Sequence, residues 1–360
     1  MDFSPLITIA IASYNNAQYI ERCVDTVIGQ SYSNLEILII DDASKDDTHD
    51  RIKKYAVDKR VRIILKENGG LSSVRQLALE EATGDYICFI DADDYLDERY
   101  VEKHLSNLLE TGADISVCST RFETADGIYL KSESKSFECA LTNTPIKTTV
   151  LLLSREYNSV KRRLLLSDSW NKMYRLDSIK NTGVRFCMPK GLNGSDFLFN
   201  HLLVLHELSY AVIPYTGYIH VIYSSSAVHR KNKDLKKTFE VITDLMLKEC
   251  DMLGITEELN TSISRDYNNY QLTAVKDTYE SRESLKHFLT VVNADYYRYL
   301  DFIKKKGLNE VKASEYPIMK RIFYFLYSKM RWLLPFYFWV LDFVGDIREI
   351  IYNGRKAKMG

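Results

Sequence analysis

An apolar run and a cluster of acids adjoin in the stretch Gly84-Asp-Tyr-Ile-Cys-Phe-Ile-Asp-Ala-Asp-Asp-Tyr-Leu-Asp97. Its apolar run, Tyr86 to Ile90, is short, rich in aromatic and β-branched residues, and bounded by a glycine and by acids, which predicts a buried strand. Three carboxylates, Asp91, Asp93 and Asp94, follow the strand and repel one another unless water or a cation separates them. Hard divalent cations take oxygen ligands of this kind. The stretch therefore indicates either a metal site or a solvated acidic loop that caps the next helix.

Composition excludes several classes of protein. The chain has 360 residues, enough for a full core and roughly two domains. Its formal net charge is -1, so no overall electrostatic field favours nucleic acid as a partner. The six cysteines form no CxxC pair, which predicts reduced, buried thiols in a cytosolic protein. The first apolar run has no basic segment before it and is interrupted by a polar turn, so a first strand is predicted instead of a signal peptide.

Strands and helices alternate over residues 1–120. Continuous apolar runs predict four strands, at Leu6–Ala12, Leu35–Ile40, Val61–Leu65 and Tyr86–Ile90. Apolar residues at helical spacing predict three helices between them, at Ala17–Gln30, Leu71–Ala82 and, with Ser44 as its N-cap, Ser44–Tyr55. This alternation is typical of an α/β fold in which helices cover both faces of a parallel sheet.

Polar residues follow each of the four predicted strands, at Ser13-Tyr14, Asp41-Asp42, Asn68-Gly69-Gly70 and Asp91-Asp93. Ligands of such sheets bind beyond the carboxyl ends of the strands, so these residues are expected to converge on one site. No Gly-x-Gly-x-x-Gly sequence follows the first strand and no GxxxxGK[ST] sequence is present, which excludes the dinucleotide fingerprint and the P-loop. A phosphate-binding function would then depend on a metal.

Beyond residue 120 the predicted elements are shorter. A hairpin is predicted over Arg121–Ala140, a helix over about Ile146–Ser154, and short strands at Tyr210–Ile213 and Tyr218–Tyr223. From Lys231 onward the sequence is helical and amphipathic without strand signals, so a domain boundary is placed there.

These segments together resemble family 2 glycosyltransferases of the GT-A fold, the group that builds bacterial polysaccharides. The resemblance extends from about Ile7 to Ser225. It is carried by ordered matches, among them Ile-Ala-Ser-Tyr-Asn-Asn, Asp41-Asp42-Ala-Ser-Lys-Asp, Glu67-Asn-Gly-Gly-Leu-Ser, Ala82-Thr-Gly-Asp-Tyr-Ile and Asp91-Ala-Asp-Asp. It implies a mostly parallel, Rossmann-like sheet with helices on both faces, plus a helical C-terminal region.

The resemblance also implies a division of the chain. Residues 1–230 would form the GT-A catalytic domain, with a nucleotide-sugar half at 1–120 and an acceptor half at 121–230. A helical region, 231–315, and an amphipathic aromatic and basic tail, 316–360, would follow.

Five residues are assigned to the nucleotide by the resemblance. Tyr14, next to Ser13, would lie against the uracil ring, Asp42 would hydrogen-bond a uracil nitrogen, and Asp91 would face the ribose. Arg75 would reach a phosphate from the third helix, although a solvated arginine is an alternative. For Tyr14 the alternative is a ring packed at a strand end, and for Asp42 a charge stabilised by a helix dipole.

The metal and the catalytic base are assigned in the same way. Asp93 would hold a divalent cation, Mn or Mg, that bridges the donor's two phosphates, while Asp94 is given a secondary role at the start of a loop or helix. Asp196 would deprotonate the acceptor hydroxyl, a weak nucleophile that needs a positioned carboxylate; a helix N-cap is the alternative. Ser195 stands where the family usually has Glu.

Trp170 is proposed as a platform for the acceptor sugar, with a core tryptophan as the alternative, and Ser195 as a further acceptor contact. His220 lies in the last predicted strand and His229 follows it, and either one is a possible neighbour of the diphosphate or metal. A lone histidine is more often structural.

The tail at 316–360 combines aromatic and basic residues. Its longest uncharged apolar run, Trp332–Leu341, is too short for the ~20 residues of a membrane span. A helix lying in the membrane interface is predicted. The alternatives are a tail packed on the catalytic domain and a tail that forms a dimer.

The sequence thus predicts a metal-dependent inverting glycosyltransferase, peripheral on the inner face of the cell membrane. It would move a hexosyl or N-acetylhexosaminyl group from a UDP-sugar to a saccharide acceptor, such as one linked to undecaprenyl diphosphate, in capsule, exopolysaccharide or O-antigen synthesis. One alternative is an inactive member that binds nucleotide-sugar or scaffolds an assembly complex. A nucleotidyltransferase is a second alternative, but it would need a Gly-rich, basic triphosphate loop after the first strand.

Overall fold

The computed structural model describes residues 4–132, 165–223, 235–281, 284–309, 318–339 and 341. The chain divides into two compact units, residues 1–233 and residues 234–360. The helix predicted at 146–154, the hairpin residues 133–140 and His229 lie outside the described residues.

The described strands of the first unit form one mixed sheet. Its strands are β1 (Ile7–Ser13), β2 (Leu35–Asp41), β3 (Val61–Leu65), β4 (Tyr86–Asp91), β5 (Tyr95–Leu96), β6 (Ile115–Thr124), β7 (Tyr129–Ser132), β8 (Lys172–Arg175) and β9 (Tyr210–Ile222). The strand order is β3-β2-β1-β4-β8-β6-β9-β5, and β7 pairs with β6. Strands β1 to β4 are parallel, whereas β8 runs antiparallel to both β4 and β6. The predicted α/β class and the four predicted strands are confirmed.

Helices cover both faces of the sheet. They are α1 (Ile20–Ile28), α2 (Thr48–Ile52) with a 3-10 turn at Lys53–Val57, α3 (Leu71–Glu81), α4 (Tyr100–Thr111), α5 (Leu176–Thr182) and α6 (Ser195–Leu205). Alternate residues of β4 face opposite sides. Ile90 packs in a cluster with Val24 of α1, while the Phe89 ring contacts Phe186 and Phe199 at centroid distances of 5.2 and 6.4 Å. Each such side chain, fully buried, contributes about 1.5–3 kcal/mol to stability, which explains why β4 is apolar on both faces.

The two strands predicted at Tyr210–Ile213 and Tyr218–Tyr223 are one strand, β9. Val117 of β6 pairs with Val212, but Ser119 pairs with Thr216, so residues 213–215 bulge from the ladder. Proline cannot donate to a ladder and is tolerated at a bulge. Pro214 therefore kinks β9 without ending it, and the sequence-based division was wrong.

Two shorter features also differ from the predictions. The strand β8 has only four residues and begins with a lysine, so it carried no apolar signal. The predicted N-cap at Ser44 is wrong, because α2 begins at Thr48 with Asp47 before it. The Ser44 hydroxyl instead donates to Oδ1 of Asp41 and closes the turn after β2.

The second unit is helical in its described residues. It contains α7 (Leu235–Leu253), α8 (Thr256–Ser281), α9 (Leu285–Lys306), α10 (Ile318–Lys329) and a 3-10 turn at Arg331–Leu333. Its core is mostly aromatic and is centred on Phe288, Phe323 and Phe338, each fully buried. Across the part of the chain that the structure describes, no helix is both long and apolar enough to cross a bilayer.

Candidate active site

The strand ends meet at one edge of the sheet, as the sequence predicted. In the register, Ser13 lies opposite Asp41, and Ala12 lies opposite Asp91. The amide of Asp42 donates to the carbonyl oxygen of Ser13 at 2.9 Å, which holds the first two strand ends together.

Asp94 is the fixed point of the acidic loop after β4. It is fully buried, and its Oδ2 accepts a hydrogen bond from the Tyr218 hydroxyl at 2.6 Å and lies 3.1 Å from Nδ1 of His220. Its Oδ1 accepts from the amide of Val221 at 2.9 Å. Asp94 thus lies in the loop, as predicted, and its carboxylate ties that loop to β9, a contact that the sequence did not indicate.

The charges of Asp94 and His220 depend on each other. Burial raises the pKa of the Asp94 carboxyl, and the hydrogen bond from His220 opposes that change. Burial lowers the pKa of His220, but the hydrogen bond and charge of Asp94 outweigh it and raise that pKa to about 9. The imidazole is therefore charged at neutral pH, and it offsets one of the loop's carboxylates.

Asp93 lies partly buried between these groups and the open edge of the sheet. Its carbonyl oxygen accepts from Nη2 of Arg22 at 3.1 Å and from the Tyr223 hydroxyl at 3.2 Å, which orients the residue. Burial, and then the negative charges of Asp94 and Asp91, raise the pKa of the Asp93 carboxyl to about 7. Among the described residues, no ion pair neutralises this carboxylate.

The acidic loop after β4 suits a divalent cation that is bound jointly by protein carboxylates and by a ligand. An added positive charge would relieve the repulsion at Asp93. Within the described ranges, no group of three or more His, Cys, Asp or Glu residues is arranged to hold a metal by protein ligands alone. Mg²⁺ in proteins is commonly held by one or two carboxylates together with phosphate oxygens, and Asp93 with Asp91 fits that pattern.

Arg75 joins the two ends of the site. This α3 residue is 1% exposed, so a solvated arginine is excluded. Its Nη2 lies 2.7 Å from Oδ1 of Asp91, and its Nη1 pairs with Oδ1 of Asp196. One guanidinium thus links a carboxylate at the end of β4 to one at the start of α6.

Asp196 is the second residue of α6, not its N-cap. The N-cap is Gly194, whose φ of 90° is a left-handed conformation that favours glycine. The Oδ2 atom of Asp196 accepts a hydrogen bond from the amide of Ser169 at 3.0 Å. The carboxylate is 15% exposed and borders the adjoining cleft.

A cleft of about 490 Å³ opens beside this carboxylate. Three segments line it: Gly69–Ser72 before and within α3, Ser167-Asp168 before β8, and Met188–Phe197 leading into α6. The α3 segment contains a second left-handed glycine, Gly70, with a φ of 83°. The walls combine apolar side chains, among them Met188 and Leu192, with glycine main chain and a few polar side chains. Such a mixture is usual for small-ligand sites, in which a few polar groups orient the ligand.

The residues assigned to the nucleotide have different environments. Tyr14 is 45% exposed, so its ring face is available to a ligand and is not packed at the strand end. Asp42 is buried, and its carboxylate accepts from Nζ of Lys66 at 2.7 Å and from the amides of Gly69 and Gly70 at 2.8 and 2.7 Å. Asp42 thus holds the turn that leads into α3.

The two residues assigned to the acceptor also differ. Trp170 is 8% exposed and stacks on Tyr218 and His220 at centroid distances of 4.4 and 5.5 Å. This placement favours the core alternative over a sugar platform. Ser195 lies at the wall of the cleft, and its hydroxyl has no hydrogen-bond partner among the described residues.

Sequence reasoning missed several residues that shape the site. Tyr218 is one of them, whereas His220, two residues later on the same face of β9, was already named from the sequence as a possible neighbour of the diphosphate or metal. Arg22 and Asp168 carried no signal, because one is an ordinary helix position and the other belongs to an irregular segment. The roles of the predicted site residues stay predictions.

Comparison with known proteins adds a family and a fold. Residues 8–181 match the family described as Glycosyl transferase family 2. The chain is 31% identical over 174 residues to the glycosyltransferase GlyA of Streptococcus pneumoniae, which is 47% of this chain and 24% of GlyA. It is 44% identical over 107 residues to hyaluronan synthase of Pasteurella multocida, which is 29% of this chain and 11% of that protein.

For three of the curated relatives, the match covers 64%, 24% and 65% of the relative's length, which is less than two thirds in each case. Among solved structures, S. aureus TarS 1–349 in complex with UDP-GlcNAc superposes with a TM-score of 0.68 and 18% identity, over 89% of this chain and 87% of that one. At that identity the likeness is one of fold, and it agrees with the GT-A architecture expected from the sequence.

The bridge formed by Arg75 predicts a stability difference between two arginines. Arg75→Met leaves two partly buried carboxylates without their shared cation, so we expect the free energy of unfolding to fall by about 3 kcal/mol or more. Arg185→Met is the matched control, since its ion pair with Glu80 is exposed and is worth about 0–1 kcal/mol. Urea unfolding followed by circular dichroism measures both, and equal midpoints for the two variants would show that the bridge contributes nothing.

Proposed function

Because residues 8–181 match the family described as Glycosyl transferase family 2, we propose that this protein is an inverting, metal-dependent glycosyltransferase that acts on a nucleotide-sugar and a saccharide acceptor. One observation carries the proposal. The Arg75 guanidinium connects Asp91, at the exit of a strand where a donor would bind, to Asp196, which borders an open cleft. A donor group and an acceptor group can therefore meet at this point.

The reaction follows from the position of Asp196. An acceptor hydroxyl in the cleft attacks the anomeric carbon of the donor, its proton passes to the Asp196 carboxylate, and a new C–O bond forms as the bond to the diphosphate oxygen breaks. The departing nucleoside diphosphate keeps the bonding electrons, and the anomeric configuration inverts in this single displacement. Arg75 and the Ser169 amide orient the carboxylate, whose two oxygens retain lone pairs for the incoming hydroxyl.

Asp93, with Asp91 beside it, would hold Mn or Mg together with the donor's phosphates. When bound, the cation offsets the charge that develops on the departing diphosphate. Asp94 and His220 fix the loop that presents Asp93, so this geometry is set before any ligand arrives.

We assign the donor to the UDP-sugars. The exposed ring of Tyr14 offers an aromatic face to a base, and Ser13 and Asp42 lie at the neighbouring strand ends. TarS, which shares the fold, was solved with UDP-GlcNAc bound. Asp42 acts here through the turn at Gly69-Gly70, which it fixes, as well as through any direct contact with uracil.

The acceptor would be a saccharide, carried on a lipid diphosphate at the inner face of the membrane. Support comes from the second unit, where exposed side chains recur every three or four residues along the C-terminal segment: Ile322, Phe325, Lys329, Trp332, Phe336 and Trp339. We call this set the aromatic stripe. Residues 317–341 contain four Lys or Arg and no Asp or Glu, so the stripe suits the interface of an anionic bilayer.

The assignment of the base and of the metal ligand is tested by isosteric substitution. Asp196→Asn removes the proton acceptor and is expected to lower turnover by about 10²–10⁴-fold, while UDP-sugar binding persists. Asp93→Asn is expected to lower turnover similarly and to abolish its dependence on added Mn²⁺ or Mg²⁺. Asp126→Asn, on an exposed turn, is the matched control. The measurement is UDP release from a panel of UDP-sugars with glycan acceptors, alongside a thermal melt for each variant.

Two results would contradict this assignment. Near-normal turnover by Asp196→Asn would show that another group is the base. UDP-sugar binding in calorimetry, without metal-dependent UDP release by the unaltered protein, would favour an inactive nucleotide-sugar-binding member of the family.

The aromatic stripe predicts binding to anionic vesicles. Burial of each large side chain contributes about 1.5–3 kcal/mol, so replacing Trp332, Phe336 and Trp339 with serine should weaken binding well over tenfold. Flotation with phosphatidylglycerol-containing vesicles measures this, and phosphatidylcholine vesicles test the electrostatic part. Serine substitutions at Ile128 and Tyr129, exposed on the β6–β7 hairpin, are the control.

A triple variant that floats as well as the unaltered protein would exclude the stripe as the membrane contact. Light scattering on the same samples would detect the other arrangement, in which the stripe holds two copies together.

A further inference from the structure

The cleft beside Asp196 contains a carboxylate that the reaction described above does not use. Asp168 lines the same cleft as Asp196. Its carbonyl oxygen accepts hydrogen bonds from Nδ2 of Asn200 at 3.1 Å and from Nζ of the buried Lys172. These bonds fix the main chain at Asp168, so the side chain starts from a defined position.

The next residue ties this segment to the base. The amide of Ser169 donates to Oδ2 of Asp196 at 3.0 Å, which places Asp168 one residue from a direct contact with the reacting carboxylate. Asp168 is partly exposed, and its own carboxylate accepts no hydrogen bond from the residues that the structure describes. Two carboxylates therefore border one cleft, one held by partners and the other not.

Electrostatics give the same contrast. Burial raises the pKa of the Asp168 carboxyl, and the positive charge of Lys172, followed by that of His220, opposes the change. Polar groups in such positions normally have a partner. Two serine hydroxyls at the cleft wall, Ser72 and Ser195, also have no partner among the described residues. The cleft thus presents acceptor and hydroxyl groups that a ligand would satisfy.

We propose that Asp168 binds the acceptor saccharide, by accepting a hydrogen bond from a ring hydroxyl next to the one that Asp196 deprotonates. A saccharide carries several O–H donors at neighbouring carbons, so two carboxylates on one cleft can bind adjacent hydroxyls. The cleft volume of about 490 Å³ lies in the ordinary range for small-ligand sites. Asp168 would then determine which acceptor is used, while Asp196 performs the proton transfer. This inference rests on the proposed function.

Direct binding tests the inference apart from catalysis. Methyl β-glycosides of glucose, galactose, mannose and N-acetylglucosamine are titrated against the full chain with UDP and Mn²⁺ present, and saturation-transfer NMR reports binding. For the glycoside that binds best, Asp168→Ala should raise the dissociation constant about tenfold to a hundredfold, the effect of losing a hydrogen bond to a charged group. Asp168→Asn, which keeps an acceptor oxygen, should lose less.

Monodeoxy analogues of that glycoside identify the contact. One analogue should bind the unaltered protein more weakly and lose nothing further in Asp168→Ala, because the bonded hydroxyl is already absent. A merely structural role for Asp168 would lower affinity for every analogue equally and would not single out one hydroxyl. Asp177→Ala, on the exposed side of α5, is the control.

The inference is overturned if no glycoside binds the unaltered protein, if Asp168→Ala binds as well as the unaltered protein, or if no analogue is selective. Failure of the proposed function has a different signature, since it would appear as absent metal-dependent UDP release by the unaltered protein with any donor. In assays with acceptor, Asp168→Ala should raise the KM for acceptor and leave UDP-sugar binding unchanged.

Discussion

The buried guanidinium of Arg75 is the constraint on which the site depends. Removing a guanidinium from water carries a large desolvation penalty, so a buried arginine persists only when it is paired and hydrogen-bonded. Here two carboxylates from distant parts of the chain supply the pairing. The arrangement fixes α3, the end of β4 and the start of α6 against one another. It also explains why Asp196, at a helix start with a glycine N-cap, turns its carboxylate toward the sheet instead of capping its own helix.

In the loop after β4, neighbouring groups offset part of the negative charge. Asp94 and His220 form an internal ion pair, and Tyr218 links them to the amide of Asp91 at 3.3 Å. Asp93 is left as the carboxylate without an ion-pair partner among the described residues. A site that binds a cation together with its ligand needs one unpaired carboxylate. The bonds that Asp94 makes within the protein keep its carboxylate from competing with Asp93 for the cation.

The sequence predicted the sheet well where the local signal was strong. Runs such as Ile37–Ile40 are apolar on both faces, and only a covered parallel sheet accommodates that pattern. Prediction failed where tertiary structure overrides local preference. Pro214 reads as a strand break but lies in a bulge, and β8 is a strand only because β4 and β6 flank it.

The same division applies to the candidate site. Residues at strand exits could be placed together from the sequence, since parallel strands end at one edge. The network of Asp94 could not, because its partners lie more than a hundred residues away on β9, and no local pattern reports such a contact. Asp168 was missed for a similar reason. Its carboxylate stands out because it accepts no hydrogen bond from the described residues, and only the structure reveals that.

The bridge at Arg75 has a further consequence for how the chain folds as it is made. Residues 71–91 leave the ribosome well before residue 196, so Arg75 and Asp91 are both present before Asp196 is synthesised. The pair with Asp196 also requires closure of the long connection between them. Contacts of such wide separation form late and slowly. The first half of the sheet is therefore synthesised before Asp196 exists, and the site is complete only once the start of α6 reaches α3.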